Sequence, residues 1–178
     1  MLGFVSFEER GAGDVVLASV AEILQGRGLN LAGAVQVNSE REGAHRCDMD
    51  LHVLSGRDVI RISQRLGAFA RGCRLDPAGL EQAVGLVTAA LENGPDLLVA
   101  NKFGKQEIDG RGFRPVIAEA LGRDIPVLIA VKTGNVAAFL EFAGEFAEEL
   151  SPERDAILSW VMAQLPEDHP RAVQSTYQ

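Results

Sequence analysis

The chain has 178 residues, two cysteines and a net charge of −8, with a sequence pI of about 4.9. This length fits one domain with a substantial core, and the acidic balance argues against a general nucleic-acid binder, which needs basic patches. No run approaches about 18 apolar residues and no charged leader comes before one. We therefore expect no membrane insertion, no signal peptide and a cytoplasmic location.

The first elements are a strand and a helix joined by a glycine-rich turn. Residues 2–7 form a short apolar run that predicts the strand. The turn contains Gly11 and Gly13, and Asp14 follows as the predicted N-cap of a helix over residues 15–25. The apolar stripe of this helix predicts that one of its faces packs on the core.

Three further strands are predicted before the next helix. Residues 29–37 are largely apolar, and residues 47–53 alternate apolar with polar side chains, as in a strand with one wet face. The turn Ser55-Gly56 leads into a fourth strand near residues 58–62. We expect these three strands to form an antiparallel β insert between about residues 29 and 62.

The second half alternates helices with short apolar strands. Asp76-Pro77 predicts a helix start, while residues 97–101 and 125–131 predict parallel strands covered on both faces. The pattern predicts a single α/β domain over residues 1–165 with a mostly parallel sheet flanked by helices. The polar tail, residues 166–178, is expected to be loose or docked in an oligomer.

Several motifs carry a resemblance to known proteins. They are Ala32-Gly33-Ala34-Val35, Glu42-Gly43-Ala44-His45-Arg46, Leu54-Ser55-Gly56 and Phe103-Gly104-Lys105-Gln106-Glu107. Over roughly residues 2–145 the chain resembles the small P-loop nucleoside-triphosphatases with a β insert after the first helix. Gly72-Cys73-Arg74-Leu75-Asp76 and the segment 101–107 more closely resemble the signatures of an uncharacterised bacterial domain family related to those enzymes, which context associates with molybdenum uptake or use.

The phosphate-loop and metal positions depart from that pattern. A working loop reads Gly-x₄-Gly-Lys-Ser/Thr, because backbone amides and the Lys hold phosphate and the hydroxyl binds Mg²⁺. Here Asp14 replaces the Lys, Val15 replaces the hydroxyl residue, and Asn101 stands where an acid would hold Mg²⁺. The resemblance therefore implies degenerate Walker motifs and no metal site. We expect conventional Mg-dependent hydrolysis to be absent or very slow, and we leave the question of other enzymatic activity open.

Cationic residues cluster after the strand that carries Asn101, where ligands of parallel sheets bind. The cluster is typical either of a solvated loop balanced by acids or of an anion site. The predicted anion- or nucleotide-binding residues are Arg10, Gly11, Gly13, Asn101, Lys102, Gly104, Lys105 and Arg111, with Arg46, Arg74 and Glu107 behind them.

Individual residues keep two interpretations. Asn101 either closes a hydrogen-bond network or contacts a ligand, and Glu107 more often pairs with a loop cation than acts as a general base. Cys47 falls on the apolar phase of its strand and predicts a buried structural thiol. Cys73 lies between two arginines, so it is either structural or reactive.

The sequence thus predicts a catalytically degenerate, P-loop-NTPase-like domain that binds a small anion or nucleotide. Its role would be regulatory or accessory, with a molybdenum link implied by the resemblance alone. The alternative is a hydrolase of nucleotides or phosphorylated metabolites with a non-standard site at Lys102, Lys105 and Glu107. No cofactor is identifiable, and a homo-oligomer or a protein partner is a further alternative.

Overall fold

A computed structural model describes residues 1–39, 47–64, 75–167 and 169. The strands are β1 (Leu2–Phe7), β2 (Leu31–Ser39), β3 (Asp48–Val53), β4 (Val59–Arg61), β5 (Leu97–Phe103), β6 (Val127–Lys132) and β7 (Ala147–Glu149). The helices are α1 (Ala12–Gly26), α2 (Pro77–Leu91), α3 (Lys105–Ile108), α4 (Arg114–Gly122), α5 (Val136–Ala143) and α6 (Arg154–Gln164). Short 3-10 turns cover Thr133–Asn135 and Gly144–Phe146.

The seven strands form one sheet in the order β4-β3-β2-β5-β6-β1-β7. The pairs from β2 to β7 are all parallel, whereas β3 and β4 are added antiparallel at one edge. Helices pack on both faces of this sheet. The prediction of an α/β, P-loop-NTPase-like fold with a mostly parallel sheet and a small antiparallel part is confirmed.

The antiparallel part is smaller than predicted. Strand β2, which we placed in the insert, pairs in parallel with β5 from Leu31↔Leu97 to Ala34↔Ala100 and antiparallel only with β3. Its first six residues are buried, as expected of a strand covered on both faces. Strand β2 therefore belongs to the parallel core, and only β3 and β4 form the antiparallel extension.

Two apolar clusters fill the space between the sheet and its helices. One joins Phe4, Leu98 and Ile129 to the buried faces of α2, α4 and α5. The other cluster joins strand residues that point to the opposite face of the sheet, such as Val5 and Val99, to α1 and α6. Since successive residues of β5 face different clusters, the strand is buried on both sides and its carboxyl end opens onto the loops.

Three boundaries test the local signals of the sequence. Helix α1 begins at Ala12, and its N-cap is Gly11 with φ 86°, so Asp14 is not the cap; glycine adopts this left-handed conformation at little cost. Strand β5 continues to Phe103, so Asn101 lies inside the strand rather than at its end. The predicted N-cap Asp76 is confirmed, since its side chain accepts a hydrogen bond from the Ala78 amide at 3.0 Å.

Some predictions concern residues that lie outside the described ranges or next to a gap in them. Arg46, Cys73, Arg74 and most of the polar tail lie outside the described residues. Cys47 is exposed, so the prediction of a buried thiol is wrong: β3 begins one residue later, and the alternation does not extend to position 47. Nowhere in the described part of the chain does a helix combine the length and apolarity needed to cross a membrane.

The close approach of β2 to β5 requires glycine at position 33. Gly33 has φ 110°, and a Cβ there would overlap the carbonyl oxygen of Val99. We expect Gly33→Ala to lower the free energy of unfolding by about 2–5 kcal/mol, because overpacking costs about 1–3 kcal/mol and left-handed strain a similar amount. Urea unfolding followed by circular dichroism measures the change.

The matched control is Gly85→Ala in the exposed middle of α2, where a Cβ meets nothing within 4 Å. This change should stabilise the fold by about 0.5–1 kcal/mol through helix propensity. Equal effects of the two substitutions would contradict the assigned register of β2 on β5.

Candidate functional site

A cavity of about 690 Å³ lies beside the carboxyl end of β5. One wall is apolar and comes from the antiparallel strands, α2 and their neighbours; it consists of Met49, Leu51, Ile62, Leu75, Leu80 and Phe113. The opposite side is polar, because the segment after β5 and the turn before α1 supply charged side chains. The structure brings these predicted site residues together around it: Arg10, Asn101, Lys102, Gly104, Lys105, Glu107 and Arg111.

The side-chain amide of Asn101 is the most unusual polar group of this cavity. The residue is only 2% exposed, and neither Nδ2 nor Oδ1 has a hydrogen-bond partner among the described residues. In the described part of the chain, Asn101 therefore does not close a hydrogen-bond network, which was one of its two predicted roles. A buried polar group without a partner costs about 1–3 kcal/mol, so this amide calls for an explanation outside the described protein contacts.

Asp14 and Lys102 form an ion pair between α1 and β5. The Lys102 Nζ lies 3.4 Å from Asp14 Oδ1, and Asp14 Oδ2 accepts hydrogen bonds from Asn38 at 2.8 Å and Gln36 at 3.3 Å. The carboxylate is buried in the first turn of α1, where the helix dipole favours negative charge. Lys102 is thus partly neutralised. The sequence missed Gln36 and Asn38, although their i, i+2 spacing places them on one face of β2.

The remaining cations differ in how well they are compensated. Arg111 lies 3.6 Å from Asp109, and Arg114 stacks over an aromatic ring at 4.7 Å rather than lining the cavity. Arg10 and Lys105 are exposed at the rim and have no ion-pair partner among the described residues. These two side chains therefore supply uncompensated positive charge to the cavity.

Glu107 holds the loop that forms the polar side. Its Oε2 accepts a hydrogen bond from the Gly104 amide at 2.9 Å, and its Oε1 accepts one from the Phe113 amide at 3.0 Å. The prediction that a loop cation pairs with Glu107 is therefore wrong: backbone amides take that place. Burial raises the pKa of Glu107, and these backbone hydrogen bonds oppose the shift only in part. The Gly104 amide, in turn, is not available to a ligand.

Gly11 and Gly13 line a second, smaller cavity of about 300 Å³ next to the ends of β1 and β6, which shares Arg10 and Lys102 with the first. A Cβ at Gly13 would come within 2.8 Å of the Phe7 ring, so packing alone requires glycine there. The described residues contain no cluster of three His, Cys, Asp or Glu side chains that could hold a metal ion. Arg46 and Arg74 cannot be placed relative to either cavity, since both lie outside the described ranges.

Comparison with known proteins places the chain in a family. A family described as "Protein of unknown function (DUF2478)" matches residues 2–160. The chain belongs to this family. It is also 37% identical, over 167 residues, to the "Molybdenum import ATP-binding protein ModC 2" of Bradyrhizobium diazoefficiens. That match covers 90% of this chain but only 18% of the relative. No solved structure matches the chain significantly.

The two hydrogen bonds of Glu107 make a prediction for stability in this family member. Glu107→Gln keeps one acceptor oxygen and leaves one buried amide unpaired, so we expect a loss of about 1–3 kcal/mol in the free energy of unfolding near neutral pH. The exposed Glu141→Gln is the control and should change little. A Glu107→Gln protein as stable as the wild type would show that the carboxylate does not hold the loop.

Because the pKa of Glu107 is raised, its contribution to the free energy of unfolding depends on pH. The folded state holds this proton more tightly than the unfolded chain, so the stabilisation is full below the ordinary pKa of 4.5 and is lost as the pH rises through the folded-state value. Gln cannot titrate. The advantage of the wild type over Glu107→Gln should therefore be larger at about pH 4 than at about pH 7, as measured by urea unfolding at both values.

Proposed function

We propose that this chain is a P-loop-NTPase-like domain that binds a small anion or nucleotide in the 690 Å³ cavity and serves as an accessory or regulatory module in molybdenum metabolism. The observation that carries the binding is a pair of cations, Arg10 and Lys105, which have no ion-pair partner among the described residues and stand at the rim of a cavity in a protein of net charge −8. Ligands of parallel α/β sheets bind at this end of the strands.

The molybdenum role is supported by the relative. A protein named for molybdenum import and ATP binding contains a region 37% identical to nearly the whole chain. Because the similar region is only 18% of that protein, the proposal takes from it the link to molybdenum alone. On this proposal the domain senses an anion or nucleotide and reports it to a transport or utilisation partner.

Conventional hydrolysis is not expected of this domain. Asp14 stands where a phosphate-binding Lys is required, and its carboxylate is engaged with Lys102. Val15, where a metal-binding hydroxyl is required, is 72% exposed. Asn101 stands where the metal-holding acid is required. Each of these departures removes a group on which the usual reaction depends.

Anion binding is tested by calorimetric titration of phosphate, sulfate, molybdate and ATP into the wild type and two variants. Lys105 lines only the larger cavity and Lys132 only the smaller one. We expect Lys105→Ala to weaken binding by about 10-fold, since each 1.4 kcal/mol of a charge-assisted hydrogen bond is tenfold, and Lys132→Ala to leave it unchanged. If Lys132→Ala weakens binding and Lys105→Ala does not, the anion binds in the smaller cavity instead. If none of the probes binds with a dissociation constant below millimolar, the proposal is refuted.

Hydrolysis is tested by phosphate release from ATP and GTP with and without Mg²⁺. We expect turnover far below about 1 per second, the lower end for competent enzymes. Sustained Mg-dependent release that is abolished by Lys105→Ala would support the alternative of a hydrolase with a non-standard site.

A further inference from the structure

We propose that the 690 Å³ cavity takes a heteroaromatic ligand that carries an anionic group, with the ring inward at Asn101 and the anion outward at Arg10 and Lys105. This inference rests on the proposed anion site and names the chemical class and the orientation of its ligand. A simple oxoanion would then fill only the outer part of the cavity, at the two cations.

The unpaired amide of Asn101 favours a ring over a simple anion. Both Nδ2 and Oδ1 are buried without a partner among the described residues, so the side chain offers one donor direction and one acceptor direction. A ring edge with an adjacent acceptor and donor satisfies both, as when an Asn side chain pairs with the edge of adenine. A deprotonated oxoanion has acceptors alone and would leave Oδ1 unsatisfied.

The cavity is divided by polarity in a way that fits such a ligand. The wall built from Leu51, Ile62, Leu80 and Phe113 is apolar, and such walls favour rings over hydrated anions. The cations that have no ion-pair partner among the described residues stand at the rim instead. A volume of about 690 Å³ falls within the range of about 300–1,000 Å³ for small-molecule sites, which leaves room for a ring and a phosphate together.

The N-terminus of α1 is the other place where an anion could bind, but a carboxylate of the protein already lies there. There the Asp14 carboxylate is buried in the first turn of the helix and pairs with Lys102. A second negative charge beside it would be repelled. The anionic group is therefore directed to Lys105 and Arg10, away from the end of α1.

The experiment separates the ring from the anion. The probes are AMP, adenosine and ribose 5-phosphate, with GMP and riboflavin phosphate as alternative rings, titrated calorimetrically into the intact chain. Asn101→Leu keeps a similar volume and removes both hydrogen-bonding atoms. We expect it to weaken AMP and adenosine binding by about 10- to 100-fold, as the loss of two hydrogen bonds implies, and to leave ribose 5-phosphate binding unchanged. Lys105→Ala should weaken AMP binding and leave adenosine binding unchanged.

A second readout guards against a change that merely damages the fold. Because it is a cost to bury an amide that has no hydrogen-bond partner among the described residues, Asn101→Leu measured without ligand should melt at the same or a higher temperature than the wild type. The thermal shift caused by AMP should nevertheless disappear. The exposed Asn93→Leu is the control and should keep that shift.

The outcomes distinguish this inference from the proposed function. Binding of phosphate or molybdate, with none of the ring-bearing probes binding more tightly than ribose 5-phosphate, would overturn the ring-inward assignment and leave the anion site intact. Ring-bearing probes that bind equally well to Asn101→Leu, or adenosine binding that is lost together with AMP binding in Lys105→Ala, would also overturn it. If no probe binds at all, both proposals fail.

Discussion

The burial of β5 on both faces is the constraint on which the rest of the site depends. Leu97, Leu98, Val99 and Ala100 are completely removed from water, because parallel neighbours pair on each side and apolar clusters cover each face. Polar residues that come after such a strand begin in a desolvated environment, where each of their groups needs a partner. The register of β5 on β6 shifts between Ala100 and Phe103, so the regular ladder ends as the polar segment starts.

Two buried carboxylates organise the polar side of the larger cavity. Asp14 ties α1, β2 and β5 together through Lys102, Gln36 and Asn38. Glu107 closes the loop after β5 on two backbone amides. These two acids therefore face inward and act as hydrogen-bond acceptors. Arg10 and Lys105, which have no ion-pair partner within the described ranges, stay at the rim of the cavity. This separation leaves cationic side chains at the rim of the cavity in a chain of net charge −8.

The same arrangement relates the fold to the P-loop-like proteins that it resembles. In those proteins the backbone amides at the N-terminus of the first helix bind phosphate. Here a carboxylate lies in the first turn of that helix, and the larger cavity opens on the side of the antiparallel strands. On our proposal, the binding function has moved from the helix end to the space between β5, β3 and α2, where an apolar wall and the Asn101 amide lie together.

The sequence by itself determined the elements whose signals are local. The apolar runs of β1, β5 and β6 and the Asp76 cap of α2 are where their patterns predict, because periodicity and capping depend on neighbouring residues. It also identified the segment after β5 as the place where charges gather. Only the tertiary structure decided which strand β2 pairs with, because a run buried on both faces looks the same beside a parallel or an antiparallel neighbour.

Polar partners, too, were decided by the tertiary structure. Lys102 meets Asp14 across 88 positions of the chain, Glu107 binds backbone amides rather than the nearby cations, and Asn101 has no partner in the described part of the chain. Such choices depend on which groups the sheet order brings together and on how much water it leaves between them. A sequence pattern records neither quantity, which is why several residues that line the larger cavity could be named from the sequence but their polar partners could not.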